Sequence, residues 1–564
     1  RAAVLPLTPG WSRRQWTHAL CATLCAAVVC LVAFTFRFNS LSGSLGGFTN
    51  DQFVPLMRVE MLLRGEQPLR DFSDAELRGA WPALSYEASA WAQRLGGRTL
   101  LPEAYLTAGA LALAHAMVFL LTLDVAKRWS IAWLVTALCV TTAPRLYSYP
   151  KVLMLAIGVA AIRAVATTPS ARRLGLAAVA TSVATLFRHD CGGYVAFGVI
   201  AALVARDAGA WLVVGRRVGA YLGFTAVCLL PSAIWVQVYE GIPSYIRSNI
   251  VIAGLEAGRT ELVDLARPTL ATLFSGGSLE VLTYYGLWST AAVAAAVLAW
   301  RVLASSEPRL TREERGFGVG LLVMAVVTSE FLLRDPLVAR LSDVVVPVAV
   351  LGGWSIATAQ AISLPVVRRL ATLLASLLLL FMVGASWVFM GIGSTLTDSG
   401  LTSSPQRVAQ EFRRVHDNLL QLPPTDWSNV DARGSMAAAR YVAECTSPDD
   451  YLLIAGDAPE ITVFARRRFA AGQGVFAKVW YASEADQRRA LTRLASQSVP
   501  IVLADARLFE TDFVLSYPLL AQHVADHYRP VGTIADESRP FLVFVEARRE
   551  PRRLDPDLGL PCFR

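Results

Sequence analysis

Charge is scarce in this sequence. Asp, Glu, Lys and Arg make up 17% of its 564 residues against 54% hydrophobic residues, and the mean hydropathy is +0.45. A chain so poor in charge falls outside the ordinary soluble enzymes, and it is long enough for a polytopic bundle plus another domain. Lysine is rarest: Lys127, Lys151 and Lys478 are the only three, and Ala- and Arg-rich usage with so few lysines fits a GC-rich bacterial genome. No glycine fingerprint of the dinucleotide type is present, so "AGDAPE" and "AGQG" read as turns. No internal repeat and no low-complexity tract beyond Ala-rich helices is found. No small-residue cleavage site stands clearly behind the first apolar run, 19–36, so a retained signal anchor is expected.

The apolar residues are grouped. A hydrocarbon core about 30 Å thick needs roughly 20 apolar residues in helical form. Runs of this kind lie near 18–36, 104–124, 130–146, 152–168, 174–187, 193–206, 218–238, 281–301, 316–333, 343–361 and 370–392. The fifth and sixth are short and read as tilted spans, or as a broken pair whose turn is buried in protein. With the N-terminus in the cytoplasm, sixteen Lys and Arg fall on the inside, among them Arg13, Arg14, Lys127, Arg128, Arg216 and Arg217. Eight fall in the short outer loops. This bias supports eleven spans and scatters the net charge of +8 through loops, which points to topology and away from nucleic acid.

An odd span count places the long loop 37–103 and everything after about residue 393 outside. The expected class is therefore a polytopic α-helical protein of the bacterial inner membrane, with residues 1–392 as its membrane part and 393–564 as a soluble extracytoplasmic α/β domain. In that domain Val408, Phe412, Val415 and Leu419 recur at helical spacing, while "YLLIAGD" (451–457), "VPIVLAD" (499–505) and "PFLVFVEA" (540–547) read as buried strands. Cys445 and Cys562, the two cysteines of this part, are a candidate disulfide in an oxidising compartment. Cys191 has no metal-ligand companion pattern.

The outer ends of the spans carry the chemistry. Just past the first run stands "NDQFVPLMRVEMLLRGEQPLRDFSD" (50–74), with Asp51 and Asp71. Further on come Arg145, Tyr147, Tyr149 and Lys151 in "PRLYSYPK", Arg188 and Asp190 in "FRHDCGGY", and Glu330, Arg334 and Asp335 in "SEFLLRDP". A charge at mid-depth costs about 2.5–3.5 kcal/mol on insertion scales, so such residues are paired, wet or functional. Acids and bases at one membrane level suit chemistry on a lipid-linked anion: Arg forks and Lys charges hold a phosphate, and a carboxylate takes the proton of a hydroxyl nucleophile. Structural readings stand beside each. Asp51 can cap the helix that begins near Phe53, "RDFSD" can be a plain turn, Arg188 with Asp190 can be an internal ion pair, and Lys151 can snorkel. Phe53, Leu56, Met57, Met61 and Leu62 share a helical face and predict a helix lying in the membrane interface.

These elements resemble the GT-C superfamily of integral-membrane glycosyltransferases, which includes protein O-mannosyltransferases and aminoarabinose and arabinofuranosyl transferases. The resemblance rests on the acid soon after the first span, "GEQPLRDF", "RHDCG" (188–192) and the Arg-Asp pair in "LRDPLVARLSDVVVPVAVL", and it covers about residues 13–392. It implies transfer of a sugar from a polyprenyl-phosphate donor to a glycan, lipid or protein acceptor on the outer face, usually with inversion, in cell-envelope or cell-wall biogenesis. By position the family's first-loop acid maps onto Asp51 as the base. The sequence reads "NDQ" where many members have Asp-Glu or Asp-x-Asp, which leaves the base open between Asp51 and Asp71 and weakens the case for a divalent metal cofactor. Arg145, Lys151, Arg188 and Arg334 are the candidates for the donor phosphate, with Tyr147, Tyr149 and Asp190 for sugar or prenyl contact. The competing expectation, a lipid or glycan transporter, calls for mid-membrane charges and paired repeats, neither of which is seen.

Overall fold

The computed structural model describes residues 13–42, 47–73, 81–257, 278–304, 307, 309–334, 338–425, 435–477, 479–535 and 539–564. Asp335 and the side chain of Arg334 lie outside the described residues.

Each of the eleven apolar runs contains a helix: Arg13–Asn39, Leu101–Ala126, Trp129–Thr141, Tyr149–Thr167, Ala171–Phe187, His189–Arg206, Trp211–Tyr239, Leu279–Leu303, Arg312–Arg334, Leu341–Ala359 and Pro365–Phe389. Eight, some extended by a neighbouring turn, are long and apolar enough to cross a membrane. The other three are Trp129–Thr141, Ala171–Phe187 and His189–Arg206. The first of them, with 13 residues, spans only about 20 Å. Ala171–Phe187 and His189–Arg206 are separated by the single extended residue Arg188 and pack against each other, with Gly192 close against Thr185.

The bundle is built around Leu341–Ala359, which is buried along nearly its whole length. Past its first turn it is apolar on nearly every side, as an interior helix must be, and Gly353 lets Thr122 and Val135 approach it. At one end of the bundle the basic loops are stapled by ion pairs: Arg163 with Asp124 (2.7 Å) and Glu313, and Arg217 with Asp207. The opposite end carries the first long loop and the C-terminal region. There Asn39, at the end of the first helix, donates to the carbonyls of Ser399 and Val408 (both 3.0 Å). Residues 39 and 399 therefore meet at the same end of the bundle.

The C-terminal region is an α/β domain. Its strands β1 (Tyr451–Ala455), β2 (Arg468–Phe469), β3 (Ile501–Asp505), β4 (Tyr528–Ile534) and β5 (Phe541–Glu546) form one sheet in the order β2-β1-β3-β5-β4. The pairs β1/β2 and β1/β3 are parallel, whereas β3/β5 and β4/β5 are antiparallel. The three expected strands are β1, β3 and β5. β4 escapes a hydrophobicity reading because most of its residues are exposed or half-buried. The sulfurs of Cys445 and Cys562 are bonded, with Cα atoms 4.2 Å apart.

One expectation needs correction. The helix Asn50–Leu63 does not lie in the membrane interface: every residue from Gln52 to Leu62 is buried. Phe53 meets Phe464 edge-on at 5.2 Å, and Met57 packs against Gly474. Its polar side is also enclosed, with Arg58 donating to the Tyr86 hydroxyl (2.8 Å) and Glu60 paired with Arg98. The apolar face that looks made for lipid is made for the α/β domain. A single apolar core thus runs from the first loop into that domain, across the boundary expected at residue 392.

Candidate functional site

The site begins where the helix Trp129–Thr141 ends. Ala143, at φ 43°, takes the left-handed conformation, and a short 3-10 turn, Leu146–Ser148, leads through Pro150 into Tyr149–Thr167. This bend turns Arg145, Tyr147 and Lys151 toward the centre of the bundle end. Tyr147 is the hub. Its ring lies 4.4 Å from the Arg145 guanidinium, 5.7 Å from that of Arg340 and 5.9 Å from the Lys151 Nζ. Its hydroxyl accepts hydrogen bonds from Arg145 and from Arg340 Nη1 (2.8 Å).

The central helix supplies the counter-charge. Asp343, in its first turn, is 1% exposed; it forms an ion pair with Lys151 and lies 3.6 Å from Arg340. Removing one partner of such a buried pair costs about 3–5 kcal/mol, because it strands the other charge. Lys151, Asp190, Cys191 and Asp343 line one small cavity, so the short helix pair joins the same site. Arg188 grips Asp190 through both carboxylate oxygens (3.0 and 2.9 Å).

Asp51 stands at the rim. It occupies the first turn of Asn50–Leu63, its side chain is 48% exposed, and Oδ2 lies 3.4 Å from Arg145 Nη1. Four bases, Arg145, Lys151, Arg188 and Arg340, thus face three acids, Asp51, Asp190 and Asp343, leaving one positive charge in surplus. Such a set can hold a phosphate-like anion, and its one well-exposed carboxylate can take a proton at the rim.

The remaining sequence candidates fall elsewhere. Asp71 accepts from the Gln67 amide (2.7 Å) and Arg70 Nε (2.8 Å), a local turn among contacts that none of the cluster residues share. Tyr149 is buried, its hydroxyl donating to the Ser85 carbonyl (3.4 Å) and its ring edge-on to Phe187. Arg334 ends its helix with its side chain outside the described residues. Arg340 and Asp343 were not singled out by sequence reasoning. Their signal was the "RLSD" spacing, which puts both on one helical face at the mouth of an apolar run. Among the described residues one set of three close metal-type ligands exists, Cys445, Asp555 and Cys562, and its two sulfurs are bonded to each other.

The fold and this charged end define a polytopic helical membrane protein with an α/β domain seated on one end of its bundle. No family model matches the chain, and no curated protein matches it. Among solved structures it is similar to ArnT from Cupriavidus metallidurans bound to undecaprenyl phosphate, at 13% identity over 95% of this chain and 99% of that one, with a TM-score of 0.48. The apo state of the same protein gives 14% identity over 94% and 98%, again at 0.48.

Proposed function

We propose that the protein is a membrane glycosyltransferase that moves a hexosyl or pentosyl group from a polyprenyl-phosphate donor to a cell-envelope glycan, lipid or protein on the outer face. The observation that carries this reading is the half-exposed Asp51 carboxylate, 3.4 Å from Arg145 at the rim of a cation cluster. In the reaction, the Asp51 carboxylate removes the acceptor hydroxyl proton as that oxygen attacks the anomeric carbon. The bond from that carbon to the phosphate oxygen breaks, and its electron pair leaves with the polyprenyl phosphate. Arg145, Arg340 and Lys151 stabilise the charge that develops there. Arg188 and Asp190 fix the inner wall, and the buried Tyr147 hydroxyl holds Arg145 and Arg340 in place.

General-base catalysis contributes about 10²–10⁴-fold, so Asp51→Asn is expected to cut turnover by at least about 100-fold while donor binding persists. The test is mass spectrometry of lipids after incubating purified protein with a panel of polyprenyl-phosphate sugars and short acceptors. Free polyprenyl phosphate released by wild type and not by Asp51→Asn supports the reading. No donor consumed by folded protein overturns it in favour of transport.

A further inference from the structure

The α/β domain carries a second group of side chains suited to a ligand, on the face of its sheet turned away from the first loop. Residues along the strands alternate between two cores. Leu452, Ile454, Ile501 and Leu503 share one core with the first loop. Leu453, Val502 and Ala504 share the other with Leu520 and Val524 of the helix Pro518–His527. With Leu520 and Val524 turned inward, this helix holds His523 half-buried and His527 exposed. Only six histidines occur in the chain, and these two stand one helical turn apart.

That spacing places side chains on one helical face, and the two imidazole centroids are 4.3 Å apart with planes 25° from parallel. His527 Nδ1 lies 3.0 Å from the His523 carbonyl oxygen. A carbonyl only accepts, so in the neutral ring Nδ1 carries the proton and Nε2 the lone pair. This is the arrangement of a metal-ligating histidine, whose other nitrogen donates to a carbonyl or carboxylate and is oriented by it. His523 is held toward the neutral form that ligation needs: burial, and then the neighbouring His527, keep its imidazole below the usual 6.5. A purely structural role, histidines favouring the negative end of a helix, needs cations there, and two stacked rings oppose charging both.

We propose that His523 and His527 form a binding site for a borderline divalent transition ion of the zinc, nickel or copper class, with water in the remaining positions. Imidazole suits these ions, whereas magnesium and calcium take oxygen. Rings at this spacing need only side-chain rotation to bring one nitrogen each within about 2.0–2.1 Å of one ion. His527 ends the helix, its carbonyl accepts from the Ala547 amide (2.9 Å), and Tyr528 opens the edge strand β4. The ion therefore fastens the last turn of the helix where the chain enters the sheet. The proposal is independent of the glycosyl-transfer reading and of the charged end that carries it.

The test uses the full chain, purified through a tag free of histidine, stripped with EDTA and freed of the chelator. It is titrated with nickel and zinc chlorides by calorimetry and with copper(II) chloride by electron paramagnetic resonance. One ion per chain is expected, with two imidazole nitrogens in the copper spectrum. His523→Gln and His527→Gln are each expected to leave one nitrogen and to weaken binding by at least about tenfold, the size of loss that even an outer-shell change brings. Zinc is expected to raise the melting temperature of wild type, because an ion that binds the folded state stabilises it, and to leave that of the double variant unmoved. Equal melting temperatures of wild type and variants in EDTA show that the fold is kept. A two-nitrogen copper spectrum in the double variant overturns the assignment, as does a zinc-induced rise of equal size in wild type and double variant. Displacement of copper by millimolar magnesium overturns it too. An equal loss in His416→Gln, on the helix Pro405–Leu419, places the ion elsewhere and sinks the site.

Discussion

Individual carboxylates in this molecule are set apart by what surrounds them. Asp505 ends β3 and is gripped by Arg507 and by Arg539 Nε (2.9 Å), which holds its carboxyl below the usual range against the cost of burial. Glu460 shares Arg539 at 3.3 Å but is buried at the start of a helix, and burial raises it from 4.5 to about 7. Burial wins because Arg539 also serves Asp505 and the Asp457 carbonyl. The folded state therefore holds the Glu460 proton more tightly than the unfolded chain does. The stability this contributes is full below about pH 4.5 and is lost as pH rises through about 7. The shift corresponds to about 3 kcal/mol as an upper figure. Thermal melts of the purified protein between pH 5 and 8 are expected to show that slope, and Glu460→Gln to flatten it, matching wild type at pH 5 and melting no lower at pH 8. An unchanged slope in Glu460→Gln assigns the titration to another group.

Among the elements, the membrane helices were legible because each is a long apolar run, and β1, β3 and β5 because they are short ones. Helix Asn50–Leu63 was found with its apolar face right and its neighbour wrong: periodicity reports that a face is buried and not what buries it. β4 was missed because it is an exposed edge strand. Within the site, Arg145, Lys151, Arg188 and Asp190 stood out as charges beside apolar runs. The pairing of Lys151 with Asp343, 192 residues apart, depends on how helices pack and leaves no local trace. Asp51 reaches the site because its helix is clamped from both sides. Glu66, whose carboxyl burial pushes upward, accepts from the Tyr451 hydroxyl (2.7 Å) and pairs with Arg468 (3.1 Å), and Phe464 lies edge-on to Phe53. Phe464→Ala, remote from the cations, is expected to cost about 3–5 kcal/mol of local packing. It is expected to expose the loop 64–73 to limited proteolysis and to lower kcat with little change in donor KM. Wild-type turnover from a protease-sensitive variant separates the clamp from catalysis.

At the scale of the whole molecule, the two ends of the bundle are chemically opposite. One is a set of arginine staples, and the other is covered by an α/β domain whose last residues are bonded back to the helix Met436–Cys445. Short basic loops stay in the cytoplasm and disulfides persist where the compartment is oxidising, so both features predict the same orientation, staples inside and α/β domain outside. The prediction uses a membrane-impermeant maleimide on intact cells. Ala485→Cys, exposed on the helix Glu484–Leu494, is expected to label at once, and Ala208→Cys, exposed between the staples, only after permeabilisation. Cys445 and Cys562 are expected to react in neither case until reductant is added. With the bond intact, the two cysteines, 117 positions apart in sequence, close a loop, and the chain-entropy estimate for a loop of that size is about 4–5 kcal/mol. Cys445→Ser should therefore lower the melting temperature of the domain in oxidised protein and leave that of reduced protein almost unmoved. The reverse labelling pattern would put the Asp51 rim in the cytoplasm. There the acceptor would have to be a cytoplasmic molecule, and the reading of an envelope glycosyltransferase would fall even if the sugar chemistry stood.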